Sequence, residues 1–281
     1  TSISIQGDLC EKRYDYISER SKFNLSSTDN KAGVQSIEYS IDGGAYNTFN
    51  SSLNLPNENG LVTVRFRATD KVNNRSASSA KTYYLDNVAP STGISYGAPQ
   101  FFKQGELFIT SNTPVSLSAR DNASGVVNTN YEIDNGGDKS YSSSFTVPNE
   151  GPHTLKFEST DCVQNQEAEK SSKVHVDNSG PEIYHHFSIE AVGTKSVDGK
   201  TINVYPNYAR LYLGATDEKV GNDKIEYSIN DEAFREYSSP RTLDISELDQ
   251  FTSEKVYTVK VRAYDKLGNM SEATFQFAIE K

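Results

Sequence analysis

The sequence predicts an all-β protein made of three tandem sandwich domains in an elongated array. Three observations carry that prediction. Apolar residues alternate with a period of two wherever they are regular, no stretch shows a helical period, and one pattern of residues occurs three times along the chain.

The copies align on Asp29, Asp121 and Asp217. Each is followed four residues later by a glycine (Gly33, Gly125, Gly221), and that glycine six residues later by a tyrosine (Tyr39, Tyr131, Tyr227). Two residues on stand Ile41, Ile133 and Ile229, then Asp42, Asp134 and Asn230. Upstream, Phe23, Val115 and Leu211 match, as do Leu25, Leu117 and Leu213; downstream, Asp70, Asp161 and Asp265 are each closed by an Asn four residues later. The tyrosines are 92 and then 96 residues apart, the size of a small domain and too long for a solenoid repeat. The domains are read as 1–88, 89–179 and 180–281.

Within a copy the elements are strands. Val62, Val64, Phe66 and Ala68 alternate with Thr63, Arg65, Arg67 and Thr69, giving one apolar and one solvated face. This stretch reads as the sixth strand of its domain. Tyr257, Val259, Val261 and Ala263 repeat the pattern well, and Leu155, Phe157 and Ser159 repeat it with a weaker inner face. Asp42-Gly43-Gly44, Asn135-Gly136-Gly137 and Asn230-Asp231 supply the positive-φ positions of a tight hairpin. About seven short strands per ~90–100 residues point to an immunoglobulin-like sandwich. The shared tyrosine takes the inner place where antibody domains carry tryptophan, a residue this chain lacks. Asp86-Asn87-Val88-Ala89-Pro90 and Asp177-Asn178-Ser179-Gly180-Pro181 read as short, stiff linkers, each ended by a proline that favours extended backbone before it.

The D-x-x-x-G spacing, the I-E-Y-S-I-D-G-G run, the A-T-D-K-x-x-N turn and the D-N-x-x-P linker resemble the bacterial immunoglobulin-like repeats of secreted and surface proteins. They are most similar to the repeats named from a leptospiral outer-membrane protein. The resemblance covers nearly the whole chain, three times over. It implies an extracytoplasmic setting, at the cell surface or secreted, and a role as stalk, spacer, adhesive module or accessory to a secreted hydrolase. The family's label speaks of a β-barrel, but outward positions such as Thr63, Arg65 and Arg67 lack the lipid-facing apolar band of one.

Composition narrows the partners. The chain has 281 residues and a formal net charge of −10, with no cluster of lysines and arginines to track phosphates, so nucleic acid and anionic membrane surfaces are not expected to bind. No apolar run is long enough to span a bilayer, so no membrane insertion of this segment is expected. The start at Thr1 rather than methionine reads as a fragment or a processed product. Cys10 and Cys162 lie in different copies, and a bridge between them would require two domains to fold back on each other. They are expected to be free thiols; Cys162 stands where the sister turns carry lysine, and reads as an incidental substitution.

The repeated Asp and Asn are the candidate site. In an immunoglobulin-like topology the linker Asp86 and Asn87 meet Asp121, Asp161 and Asn165 at one end of the second domain. Asp177, Asn178, Asp217, Asp265 and Asn269 repeat the set at the third. Carboxylates and amide oxygens are suitable ligands for a hard cation, so calcium is the one cofactor considered, holding adjacent domains at a fixed angle. The simpler reading is structural: Asp and Asn end a tight turn by binding nearby amides, and Asn accepts the left-handed backbone that closes it. Asp70 and Asn74 have no upstream linker, so Asp161 and Asp265 are expected to hold a cation before Asp70 does.

His185 and His186 fall on opposite faces of one strand, which separates them as metal ligands. No nucleophile-and-base set is present, and the protein is read as not an enzyme. Tyr46, Tyr141 and Tyr237, after the central hairpin, read as a shared packing position. The function expected is a non-catalytic structural or adhesive segment, a rigid spacer or a rod that binds a protein or glycan at a cell surface. The alternative is an accessory module of a secreted enzyme that contacts carbohydrate.

Overall fold

The computed structural model describes residues 1–53, 55, 56, 58–238, 243, 244 and 255–280. Lys281, which closes the third copy in the sequence, lies outside the described residues. Among the described residues every regular element is a strand. The chain divides into two compact units: Thr1–Ser95 with Ser116–Ser144 and Thr154–Ser172, and Tyr96–Val115 with Phe145–His153 and Lys173–Lys281.

The first repeat sets the pattern. Ser2–Gln6 pairs antiparallel with Lys22–Ser26 as a small sheet. The larger sheet has the spatial order Leu9–Glu11, Asp15–Ile17, Ser79–Leu85, Gly60–Asp70, Val34–Ile41 and Asn47–Thr48. Phe23 and Leu25 from the small sheet pack in one core with Tyr39, Val62, Val64, Phe66 and Tyr83 from the large one. Val62, Val64, Phe66 and Ala68 are 6% exposed or less, as the alternation requires. Full burial of a valine or phenylalanine side chain stabilises the fold by about 1.5–3 kcal/mol, so Val62, Val64 and Phe66 fix the strand's facing.

The middle and third repeats reuse this order. Their large sheets run Gln100–Lys103, Glu106–Ile109, Lys170–Val176, Gly151–Asp161, Val126–Ile133, Lys139–Ser140, and Gly193–Val197, Lys200–Pro206, Met270–Glu280, Val256–Asp265, Asn222–Ile229, Arg235–Tyr237. Their small sheets pair Ser91–Tyr96 with Val115–Arg120, and Glu182–Phe187 with Arg210–Thr216 and Leu243–Asp244. The predicted all-β tandem of immunoglobulin-like sandwiches is therefore the fold. Among the described residues its sheets are open at both edges rather than closed into a barrel.

The strand count departs from the expectation of seven. A hairpin early in each repeat (Leu9–Glu11 with Asp15–Ile17 in the first) carries the chain from the small sheet to the large one. There Tyr16 and Ile17 pair parallel with Tyr84 and Leu85, as Phe108 does with His175 and Val204 with Ala278. Gly60–Asp70 is consequently the seventh strand of the first repeat, not the sixth.

The weak inner face at Ser159 has a specific partner set. Its hydroxyl lies 2.6 Å from Thr92 Oγ1 and 2.7 Å from Thr129 Oγ1, all buried. Buried Glu167 accepts from the Thr92 amide at 3.1 Å and pairs with Lys170 at 2.9 Å. Burial pushes the Glu167 carboxyl up, but the bonds from Thr92 and Lys170 outweigh this and hold it below its ordinary value.

Two sequence assignments shift in register. The central hairpin of the middle repeat turns at Asp134 and Asn135 (φ 52° and 59°), one residue before the expected place; its counterparts are Asp42-Gly43 and Asn230-Asp231. The tyrosine matching Tyr141 and Tyr237 is replaced in the first repeat by Phe49, not Tyr46. Phe49 meets Tyr39 edge-on at 6.5 Å, as Tyr141 meets Tyr131 at 6.5 Å and Tyr237 meets Tyr227 at 6.3 Å. Tyr46 instead lies under the Arg67 guanidinium, 3.6 Å from its ring centre.

Candidate functional site

The shared Asp and Asn form a clasp with the same atoms in all three repeats. The Oδ1 atoms of Asp70, Asp161 and Asp265 each accept two turn amides: Val72 and Asn74, Val163 and Asn165, Leu267 and Asn269, all at 2.7–2.9 Å. Their Oδ2 atoms accept from the Asn side-chain amide at 2.8, 2.7 and 2.8 Å. The Asn is needed for that side chain and not for its backbone. The left-handed residue of the turn is the preceding one, Asn73, Gln164 or Gly268.

The second motif, D-x-x-x-G, is a smaller version. Asp29, Asp121 and Asp217 each accept the amide of their glycine through Oδ1. Gly33, Gly125 and Gly221 sit at φ 78°, 83° and 91°, where a Cβ is strained. The carbonyl of each glycine then accepts the amide of the residue after the clasp Asp: Lys71, Cys162 and Lys266, at 3.0–3.2 Å. The two loops are thereby one structure.

Where a linker precedes the repeat, the clasp does a second job. Asn165 Nδ2 also donates to the Asp86 carbonyl at 3.0 Å, and Asn269 Nδ2 to the Asp177 carbonyl at 2.9 Å. The linker backbone is itself an extension of the parallel pairing, with the Asp86 amide on Ile17 O and the Asp177 amide on Ile109 O, both at 2.8 Å. This brings the linker carboxylates to the clasp. Asp86, Asp121 and Asp161 offer oxygens within 4.8 Å of one another, as do Asp177, Asp217 and Asp265. Asp86, Asp161 and Asp177 are 0% exposed and Asp265 is 2% exposed.

Of the expected donors, then, the six aspartates gather in threes and the four asparagines do not join them as oxygen ligands. Asn87 and Asn178 face backward: their Oδ1 atoms accept the amides of Glu19 at 2.7 Å and Ser111 at 2.8 Å. Asn165 and Asn269 present their NH2 groups to the carboxylates. Burial, together with the charges of Asp86 and Asp121, pushes the Asp161 carboxyl above its ordinary value despite the bonds from Asn165. Burial raises Asp265 likewise, with Asp177 adding to it and the bonds from Asn269 and Leu267 opposing it.

The two junctions differ in what surrounds this common frame. At the first, Cys10 and Cys162 form a disulfide with a Cα–Cα distance of 5.7 Å, which corrects the expectation of free thiols. No folding back is required. Cys10 lies opposite Tyr16 in the early hairpin, whose second strand runs parallel to Ser79–Leu85 and ends beside Asp86. Cys162 follows Asp161 in the clasp that meets the same linker. Arg20 adds a bond to Val163 O at 2.8 Å, and Lys12 one to Ser124 O. At the second junction Phe108, Val220 and Leu267 make a small buried apolar contact, with Phe101 against it. There Lys219 Nζ reaches Asp177 Oδ1 at 3.1 Å and also Glu150.

The remaining candidates fall as the alternation requires. His185 stacks on Phe275 at 3.6 Å and His186 on Tyr212 at 4.7 Å, so the two rings go to different neighbours. Burial, with the charge of His186, lowers the His185 pKa. The structure also gathers Tyr14, Tyr16 and Tyr84, with ring centres 5.2–6.2 Å apart, a partly exposed cluster that the early hairpin creates.

No family model and no curated protein matches the sequence. Among solved structures the chain is similar to a 1.5-MDa bacterial ice-binding adhesin at 12% identity and a TM-score of 0.42, over 99% of this chain and 98% of that one. It is similar to the fibronectin(III)-like modules of Clostridium thermocellum CbhA at 12% identity and a TM-score of 0.35, over 62% and 94% of the two chains. A tetra-tandem repeat in the extending region of a large adhesion protein follows at 14% identity and 0.26, over 94% and 74%. The fold rests on the strand orders and registers above, not on these likenesses.

Proposed function

We propose that this chain is a non-catalytic structural segment of a bacterial cell-surface or secreted protein, a rigid spacer or a rod that binds a protein or glycan partner. The observation that carries this reading is the fastening at the linkers. Each linker Asp is paired through its amide to the repeat it leaves and through its carbonyl to the clasp Asn of the repeat it enters. A tether that served only to connect would leave these groups to water.

The shared carboxylates are taken up by turn amides, which suits a structural role better than proton transfer. The Cys10–Cys162 bridge supports an oxidising, extracytoplasmic setting, since such bonds persist outside the reducing cytosol. Resemblance of the repeats to bacterial immunoglobulin-like modules points the same way.

Small-angle scattering tests the rod. A compact chain of this length has a radius of gyration of about 19 Å by the size scaling. The spacer reading expects a value well above that; a value near it would overturn the reading.

A further inference from the structure

We propose that each three-aspartate group binds one divalent cation of calcium type, the group Asp86, Asp121 and Asp161 more tightly than the group Asp177, Asp217 and Asp265. Like charges held this close in a buried place are unfavourable unless a cation or a proton offsets them. Three carboxylates whose oxygens lie within 4.8 Å of one another can share a single ion. Hard cations take ~6–8 oxygens, so backbone carbonyls and water would complete the shell.

A residue that belongs to each group or binds it also carries a buried polar atom without a hydrogen-bond partner. In the first it is the hydroxyl of Ser124, a residue 0% exposed whose amide binds Asp86 Oδ2 at 2.9 Å. In the second it is Asp177 Oδ2, a carboxylate oxygen on a residue that is also 0% exposed. The cause of the second is visible in the loop. Val220, at the position of Ser124, gives its amide to Asp217 Oδ1 at 2.8 Å instead of to the linker carboxylate. An unmade bond to a buried carboxylate oxygen is costly, and a bound cation removes that cost.

The ranking follows from Lys219. Its ammonium lies 3.1 Å from Asp177 Oδ1 and supplies one positive charge to the second group already. The equivalent position in the first group is Ala123, and among the described residues no lysine or arginine pairs with Asp86, Asp121 or Asp161. A cation entering the second group must displace Lys219 or share its field, while in the first group Lys12 and Arg20 bind the loop carbonyls of Ser124 and Val163 and leave the three carboxylates without an ion pair.

Isothermal titration of the intact, disulfide-bonded chain with calcium chloride after chelation tests this. Two ions per chain with distinct affinities are expected. Asp121→Asn, which keeps the Oδ1 acceptor of its loop, should remove the tighter site alone, and Asp217→Asn the weaker one. Lys219→Ala should tighten the weaker site about tenfold and leave the other unchanged. The proposal is overturned if neither heat nor a rise in melting temperature is seen up to about 10 mM calcium. It is equally overturned if the double Asn variant, folded by circular dichroism, still binds two ions. Should magnesium bind and calcium not, the assignment to calcium fails; a Lys219→Ala variant with unaltered affinities defeats the ranking.

Discussion

Reducing the Cys10–Cys162 bridge, or replacing both residues by serine, is expected to lower the stability of the first compact unit by about 2–5 kcal/mol. The bond joins residues 152 apart, so in the loop-entropy description it removes about 5 kcal/mol of freedom from the unfolded chain, an upper figure because unfolded chains keep residual structure. The bridge also lies beside contacts that hold without it: Arg20 on Val163 O and Asn165 on Asp86 O. The reduced protein should therefore keep its native contacts at the first junction and melt earlier. Thermal unfolding followed with and without reductant reads this directly. An unchanged midpoint for the first unit would mean that the bond adds nothing to the contacts around it.

Asp161→Ala is expected to cost about 3–5 kcal/mol, and Asp70→Ala only about 1 kcal/mol, although the two side chains make the same three hydrogen bonds. The difference is burial. Asp161 is 0% exposed, so its loss strands two backbone amides and an Asn NH2 away from water. Asn74 is exposed and Asp70 partly so, and water can replace that carboxylate. Burial of the charge, with repulsion from Asp86 and Asp121 added, raises the Asp161 pKa and offsets part of its contribution. For that reason Asp161→Asn, which keeps one acceptor and sheds the charge, should lose less than the alanine variant. Equal losses at positions 70 and 161 in denaturant titrations would show that the linker side adds nothing to the clasp.

Much of this architecture is legible in the sequence because it is set by local rules. Val62 to Ala68 read as an inner face, and the positive-φ hairpins are marked by Asp, Asn and Gly. The matched positions Phe23, Val115 and Leu211, like Leu25, Leu117 and Leu213, are all buried. The clasp is legible too, since D-x-x-x-N places a carboxylate opposite its own turn amides.

What the sequence hides depends on partners far along the chain. The strands Leu9–Glu11 and Asp15–Ile17 have 3 residues each, too few for a period, and the second pairs with a strand near residue 84. Without that hairpin Cys10 has no visible route to Cys162. The outward-looking roles of Asn87 and Asn178 are hidden likewise, because the amides they accept belong to Glu19 and Ser111 in the repeat just left. Tyr46 misleads for a simpler reason. It is a tyrosine shortly after the hairpin, but Phe49 holds the register that Tyr141 and Tyr237 hold.

The repeated Asn is a turn residue in the first repeat and a turn residue plus a linker fastening in the next two. Asn74 and Asn165 make the same bonds to their own Asp, and only Asn165 adds the bond to the Asp86 carbonyl. Comparing Asn74→Ala with Asn165→Ala by denaturant unfolding isolates that addition. The expected loss is about 0.5–1 kcal/mol for the first and about 2–3 kcal/mol for the second, where a buried carbonyl and carboxylate lose their donor together. Equal losses at the two positions would contradict the fastening role.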